Sequence, residues 1–497
     1  MNADVIIRKI NESVVEIETT DDINHNIYNR YSEYTPGYQF NPRYKLRVWD
    51  GKYRAYNIKT NILPIGLVKD LISYLVAQKT TFQLEGFRDL ELCEPLDEEK
   101  YTAQIKDNMK NAPFEIREYQ DRAVRAALKY HRGILLSCTS SGKSLMLYNI
   151  IKSIRAQNYK KILLIVPNIM LVDQMYDDFK SYGWQQIEDE VERLGGGHEA
   201  TFDCPVLIST WQSLQNKEEE FFEPFDAVFV DETHGAKAKV LGQMLRQCVN
   251  AKYKIGTTGT LPTDKSEILQ IKSVIGDVIF ELKSKELIDV GVLTKIQIAN
   301  VIAKYPSEFV MANKGRSYPE EVKMVEEYAD RNKVLQMIIE HTDAKHNILL
   351  LVNHLTHLKL LEEWLHETYP DRKVSIINGG VKASERSEIR VNIENEDGTI
   401  LLATYATMST GVNMPKLHDV ILYSNSKSKI KVLQSIGRGL RKHKTKSQII
   451  LYDIVDDLTY KTRTGRVVDN YLIKHWRERM SYYKEQEFPT ITTSINL

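Results

Sequence analysis

The stretch GILLSCTSSGKSLMLYNIIKSIRA, Gly133 to Ala156, sets the fold: an apolar run, a loop of small polar residues ending in Gly142-Lys143-Ser144, and a helix-length amphipathic segment. A buried strand, a turn and a helix in that order aim successive backbone N–H groups, and the positive end of the helix, at one point in space. Such a point selects a phosphate. Thr139, Ser140, Ser141 and Gly142 supply the cradle, Lys143 reaches the terminal phosphates, and the Ser144 hydroxyl is placed to ligate Mg²⁺. The loop departs from the GxxxxGK[ST] pattern at one position, where Ser137 replaces the first glycine.

Further along, a second apolar run, AVFV, ends in Asp231-Glu232-Thr233-His234. A carboxylate at the end of a buried strand beside a phosphate loop can hold Mg²⁺ while its neighbour orients or deprotonates the attacking water. Asp231 takes the metal role and Glu232 the base role. The plainer alternative for these residues is an acidic strand-to-helix cap. Upstream, Arg117, Tyr119 and Gln120 precede an amphipathic helix, Asp121 to Tyr130. Tyr119 can lie against adenine, and Gln120 can donate to and accept from its edge; an ordinary helix start with a packed tyrosine is the alternative.

The strand-then-helix rhythm recurs. Lys161 to Pro167, Cys204 to Thr210, Ala227 to Glu232 and Tyr253 to Thr260 continue it, and it restarts at Asn347 to Asn353, Lys373 to Gly379, Thr399 to Tyr405, Asp419 to Asn425 and Ser447 to Asp453. Continuous apolar strands alternating with helices make parallel sheets covered on both faces. Two α/β domains in tandem are expected, joined near Ser284 to Val292.

Composition closes off other classes. With 497 residues, 42% hydrophobic and 27% charged, the chain is of globular type. No apolar run approaches the roughly 18 residues of a membrane span. Cys93, Cys138, Cys204 and Cys248 form neither a disulfide framework nor a metal motif, and the N-terminus lacks a secretory apolar core, so a reducing cytoplasm is expected. His354, His357 and His443 form no ligand cluster. Lys+Arg 67 cancels Asp+Glu 67, so any nucleic-acid surface must be local. One local candidate is Arg43, Lys45, Arg47 and Lys52 with Trp49 among them, a basic and aromatic mixture suited to nucleic acid. The alternation there equally suits two strands joined by an Asp50-Gly51 turn. Beyond it, Leu67 to Gln78 reads as a helix and the acidic stretch Glu91 to Glu99 as a linker.

Near the end of the second α/β region stands QSIGRGLR, Gln434 to Arg441. On a helix, Gln434, Arg438 and Arg441 share one face and can reach a γ-phosphate; a solvated basic face is the alternative. The last helical pattern, Arg466 to Gln486, docks back on the second domain or faces DNA.

Taken together these residues resemble superfamily 2 helicases of the DExH type, in particular the phage UvsW-type branch-migrating helicases. REYQ looks like the adenine-reading motif, CTSSGKS like motif I, VPNIMLVDQ (Val166 to Gln174) like motif Ia and STWQSL (Ser209 to Leu214) like motif Ic. DETH resembles motif II, Thr258-Gly259-Thr260 motif III, LLVNH (Leu350 to His354) motif IV, ATYATMSTGVNMP (Ala403 to Pro415) motif V and QSIGRGLR motif VI. GYQFNPRYKLRVWDGK, Gly37 to Lys52, is similar to the start of UvsW-type proteins. Thr233, Gly259 and Asn413 depart from residues common in the family.

The resemblance implies two tandem RecA-like domains, 101–285 and 286–497, behind a DNA-binding α/β domain, 1–100. It implies ATP hydrolysis with Mg²⁺, Gly411 and Asn413 beside the nucleotide, and Pro167, Thr210, Trp211, Thr404 and Thr410 along the nucleic acid. It further implies 3′-to-5′ movement on DNA forks, junctions and R-loops. A monomer working in a host cytoplasm beside recombination or single-strand-binding proteins completes the expectation. RNA unwinding, and ATP used only as a binding switch, stay open as alternatives.

Overall fold

The computed structural model describes residues 3–88, 92–233, 238–381, 383–408, 414–424, 426 and 428–497; side chains 238, 239, 383, 384, 386, 387, 408, 430, 431, 434 and 438 lie outside this description. The chain divides into two compact units, Met1–Leu282 and Lys283–Leu497.

The first unit begins with a four-stranded sheet ordered Ile62–Pro64, Val14–Thr19, Val5–Lys9, Phe82–Glu85. Alternating Val5, Ile7, Val15 and Ile17 point to one face, where Leu71 and Leu75 of the helix Val68–Ala77 cover them. The strand that the alternative reading offered through Arg43 to Trp49 does not form. Asn41 caps a turn of helix, Pro42–Lys45, that proline at its first position favours, and only Lys52–Arg54 pairs, with Ser32–Tyr34.

Behind this lies a seven-stranded parallel sheet, ordered Val278–Leu282, Arg132–Ser137, Tyr253–Thr258, Ala227–Asp231, Ile162–Val166, Val206–Thr210, Val191–Leu194. Its central strands are fully buried, which explains why they read as unbroken apolar runs rather than alternations. The small sheet is bolted to it. Lys254 Nζ, itself 1% exposed, donates to Ser13 Oγ (2.7 Å) and to the Leu245 carbonyl (2.7 Å), and Arg132 Nη2 donates to the Glu12 carbonyl (2.7 Å). Gly66 belongs to the same junction: a methyl group there would stand 2.3 Å from the Lys272 carbonyl oxygen.

The second unit repeats the plan with Val374–Ile377, Ile400–Thr404, Ile348–Val352, Asp419–Leu422, Gln448–Asp457, Lys295–Lys304 and Thr490–Asn496, all parallel. The helix Tyr471–Glu485 docks on this sheet. Its buried Arg479 grips both oxygens of buried Asp453 (2.8 Å each), and Tyr483 Oη donates to the same carboxylate (2.8 Å). These are two RecA-like domains that follow a small α/β domain along the chain. Among the described residues no helix is long and apolar enough to cross a membrane.

Candidate functional site

The strand Arg132–Ser137 leads into a loop whose Ser140 (φ 69°) and Gly142 (φ 83°) are left-handed, and the helix Lys143–Ala156 starts directly from Gly142. Glycine suits 142 because its φ is positive, and a Cβ there would lie 2.4 Å from Gln120 Nε2, displacing that amide from the loop. Ser137, in the place of the usual first glycine, is buried and its hydroxyl donates to Ser141 Oγ (2.7 Å), closing the loop from below. Gln120 is also part of this frame. Its Nε2 donates to the Ser141 carbonyl (2.9 Å) and its Oε1 accepts from Arg117 N–H (3.0 Å), while Arg117 Nη1 donates to Tyr119 Oη (3.1 Å). The three residues expected at the adenine therefore lie together at the start of one helix, and one of them braces the phosphate loop.

The strand Ala227–Asp231 delivers Asp231, after which Glu232 turns into the left-handed region (φ 51°). That turn brings Glu232 Oε1 to 3.1 Å from Lys143 Nζ, the two motifs' charges in contact. Asp231 accepts from Thr257 Oγ1 (2.6 Å) and Glu232 from Thr258 Oγ1 (3.5 Å), both at the end of the strand Tyr253–Thr258. Burial and the neighbouring Glu232 charge push the Asp231 carboxyl up to about 6. Burial pulls the Lys143 amine down, but the charges of Glu232 and Asp231 prevail and hold it above its ordinary value. Two carboxylates crowded beside one amine leave surplus negative charge that a divalent cation would relieve.

Magnesium fits this donor set. Asp231 and Ser144 offer oxygen ligands, and Ser144 Oγ is oriented by the Tyr182 hydroxyl at 2.8 Å. Among the described residues no group of three or more His, Cys, Asp or Glu could hold a metal ion, and a bound ion would draw its other ligands from phosphate oxygens and water.

One departure from the family pattern, Thr233, has a local explanation. Thr233 is fully buried, and its methyl fills the space over Gly256, where a Cβ would stand 2.4 Å from it. At Gly259 a Cβ would meet Lys143 Nζ at an ordinary 3.7 Å. His234, Thr410, Gly411 and Asn413 lie outside the described residues, as do the side chains of Gln434 and Arg438.

Thr210 and Thr404 occupy matching places in the two units. Each ends a parallel strand and each hydroxyl meets a hydroxyl three residues on, Ser213 (3.0 Å) and Thr407 (2.7 Å), capping the short helices Trp211–Leu214 and Tyr405–Met408. Pro167 follows the strand Ile162–Val166, and Trp211 is half-buried. One expectation is corrected: the helix Lys429–Gly439 ends before Arg441, which instead bridges to Leu293 and accepts from Thr294 Oγ1 through its carbonyl (3.3 Å). Gly439 packs so tightly that a Cβ would lie 2.2 Å from Ile449, and the chain turns away there. Arg43, Lys45, Arg47 and Lys52 sit on the N-terminal domain, with Trp49 Nε1 donating to the Lys52 carbonyl (2.9 Å). Sequence reasoning passed over Tyr182, Thr257 and Gly256; each acts through a partner distant in the chain.

The chain is similar to known proteins over most of its length. Residues 113–263 match the family described as Type III restriction enzyme, res subunit, residues 330–443 the helicase conserved C-terminal domain, and residues 4–84 the N-terminal domain of DNA helicase UvsW. The ATP-dependent DNA helicase uvsW of Enterobacteria phage T4 is 30% identical over 501 residues, covering 98% of either chain. Putative helicase 22 of Sulfolobus islandicus filamentous virus is 22% identical over 83% of this chain and 75% of its own. The crystal structure of T4 UvsW superposes with a TM-score of 0.52 at 29% identity over 99% of both chains. Full-length similarity, the N-terminal module and a shared fold converge: the chain belongs to the UvsW family of ATP-hydrolysing superfamily 2 DNA helicases.

Proposed function

We propose that this protein remodels branched DNA, regressing forks, migrating four-way junctions and dissociating R-loops, by 3′-to-5′ movement along one strand in phage recombination, repair and replication. The observation that carries the catalytic half is the contact of Lys143 with Glu232 (3.1 Å) beside the crowded Asp231. Lys143 binds the terminal phosphates, Ser144 and Asp231 hold Mg²⁺, and Glu232 takes the proton of the attacking water. Magnesium supplies charge neutralisation on the phosphates when bound. The family resemblance assigns contacts with the γ-phosphate to Arg438 and Arg441, and nucleotide contacts to Gln434, Gly411 and Asn413. Backbone phosphates are held by Pro167, Thr210, Trp211, Thr404 and Thr410, and the duplex arm by Arg43, Lys45, Arg47, Trp49 and Lys52. Such contacts grip without reading sequence.

The test is ATP turnover and unwinding on forks, four-way junctions, R-loops and RNA duplexes side by side. Stimulation by branched DNA over RNA is expected. Glu232→Gln should lower turnover by about 10²- to 10⁴-fold while leaving nucleotide affinity within a few fold, and Lys143→Ala should lose both. Equal stimulation by RNA, or full turnover in Glu232→Gln, would overturn the reading.

A further inference from the structure

Large apolar side chains left in water are ordinary when scattered and informative when grouped. Among the described residues the three most exposed are Phe40 (80%), Leu46 (74%) and Val48 (68%), all within nine positions of the N-terminal domain. Exposed Arg43, Lys45 and Arg47 lie between them and make no ion pair among the described residues. The nearest acid along the chain, Asp50, is engaged by Arg54.

The segment carrying them is held in shape. Asn41 Oδ1 accepts from Arg43 N–H (2.9 Å), Leu46 N–H donates to the Pro42 carbonyl (2.9 Å), and Val48 N–H to that of Arg43 (2.9 Å). Tyr38 stacks on Tyr34 (4.6 Å between centroids) and meets Tyr44 edge-on (4.8 Å). Gly51 lies flat on Tyr38, where a Cβ would come within 2.5 Å of the ring. The tyrosine rings here are thus spent on the local scaffold, while Phe40, Leu46 and Val48 are presented outward. Preorganised apolar tips ringed by cations match one occupant: a nucleic acid whose phosphates meet the cations while the tips press on base faces, as in proteins that unstack DNA.

We propose that residues 40–48 form a base-opening wedge for the branch point, with Arg43, Lys45 and Arg47 holding phosphates and Phe40, Leu46 and Val48 entering beside the terminal base pairs. This rests on the DNA-remodelling reading above and adds the element that separates strands. A purely electrostatic contact would need the cations alone.

Two variants of the full chain separate the parts: Phe40→Ser with Leu46→Ser and Val48→Ser, and Arg43→Gln with Lys45→Gln and Arg47→Gln. All six side chains are exposed, so unchanged thermal unfolding is the control. The probe is a fork carrying 2-aminopurine at its branch point, read without nucleotide. Wild type should raise the fluorescence severalfold. The apolar variant should lose that rise and unwind forks about tenfold more slowly, with ATPase stimulated by single-stranded DNA within about twofold of wild type and the salt dependence of fork binding unchanged. The cationic variant should instead lower the salt slope of fork binding by about 2.7. A full 2-aminopurine rise in the apolar variant overturns the wedge, as does a variant whose only defect is loss of association with another protein. Absence of DNA-stimulated turnover in wild type would be a different failure, that of the motor reading itself.

Discussion

Thr233 and Gly256 show how a change in a catalytic motif is absorbed. The threonine methyl occupies the volume a Cβ at 256 would claim, 2.4 Å away, so each residue presupposes the other. Gly256→Ala alone should cost about 1–3 kcal/mol through overpacking. With Thr233→Ala added, about 1 kcal/mol or more should return as coupling, measured by a double-mutant cycle in urea. Additive costs would show that the two do not share the space. Ser137 behaves likewise: lacking the freedom of glycine, it gains a hydroxyl bridge to Ser141 (2.7 Å) that fixes the loop from inside. The local motif was legible in the chain because its residues are neighbours. The Tyr182–Ser144 and Thr257–Asp231 contacts were not, because nothing in one short stretch announces a partner dozens of positions away.

At the level of elements, strands buried on both faces were readable as apolar runs, whereas Thr490–Asn496, mostly exposed and polar at the sheet edge, carried no such mark. The alternation through Arg43 to Trp49 suggested strands, but Asn41 and Pro42 impose a helical turn, and local capping prevails where no partner strand is at hand. Between elements, Gly66 lies so close to the helix Lys265–Ile275 that Gly66→Ala should destabilise the first unit by about 1–3 kcal/mol, seen as a lower urea midpoint. An unchanged midpoint would mean the junction yields.

A second element-level prediction concerns acid. His418 is buried, its Nδ1 accepts from Asn347 N–H (3.0 Å), and its ring stacks on His346 (4.7 Å), an arrangement that demands the neutral imidazole. Burial, then the charges of His346, Lys446 and His443, push it down to about 4. The unfolded chain takes up this proton near 6.5, the folded chain only near 4, so stability is complete above the first value and is lost as pH falls toward the second. The second unit should lose about 1–2 kcal/mol between neutrality and pH 4.5 from this group, and His418→Asn should flatten that slope.

Over the whole molecule, chemistry is divided: one unit carries Lys143, Asp231 and Glu232, the other QSIGRGLR. Arg438→Ala and Arg441→Ala should each lower DNA-stimulated turnover by about 10³-fold or more while leaving ATP affinity nearly unchanged, measured by steady-state kinetics beside equilibrium nucleotide binding. Equal losses in affinity and rate would assign these arginines to binding alone.

The strand Tyr253–Thr258 has one further implication. Near its start Lys254 clasps Ser13 of the small domain; at its far end Thr257 and Thr258 touch the two acidic side chains. A strand of this length is an inextensible rod of about 13 Å between those points. On the proposal that the small domain holds duplex DNA, a pull on that duplex would reach the carboxylates through this strand, and mechanical load on the substrate would register at the hydrolytic centre.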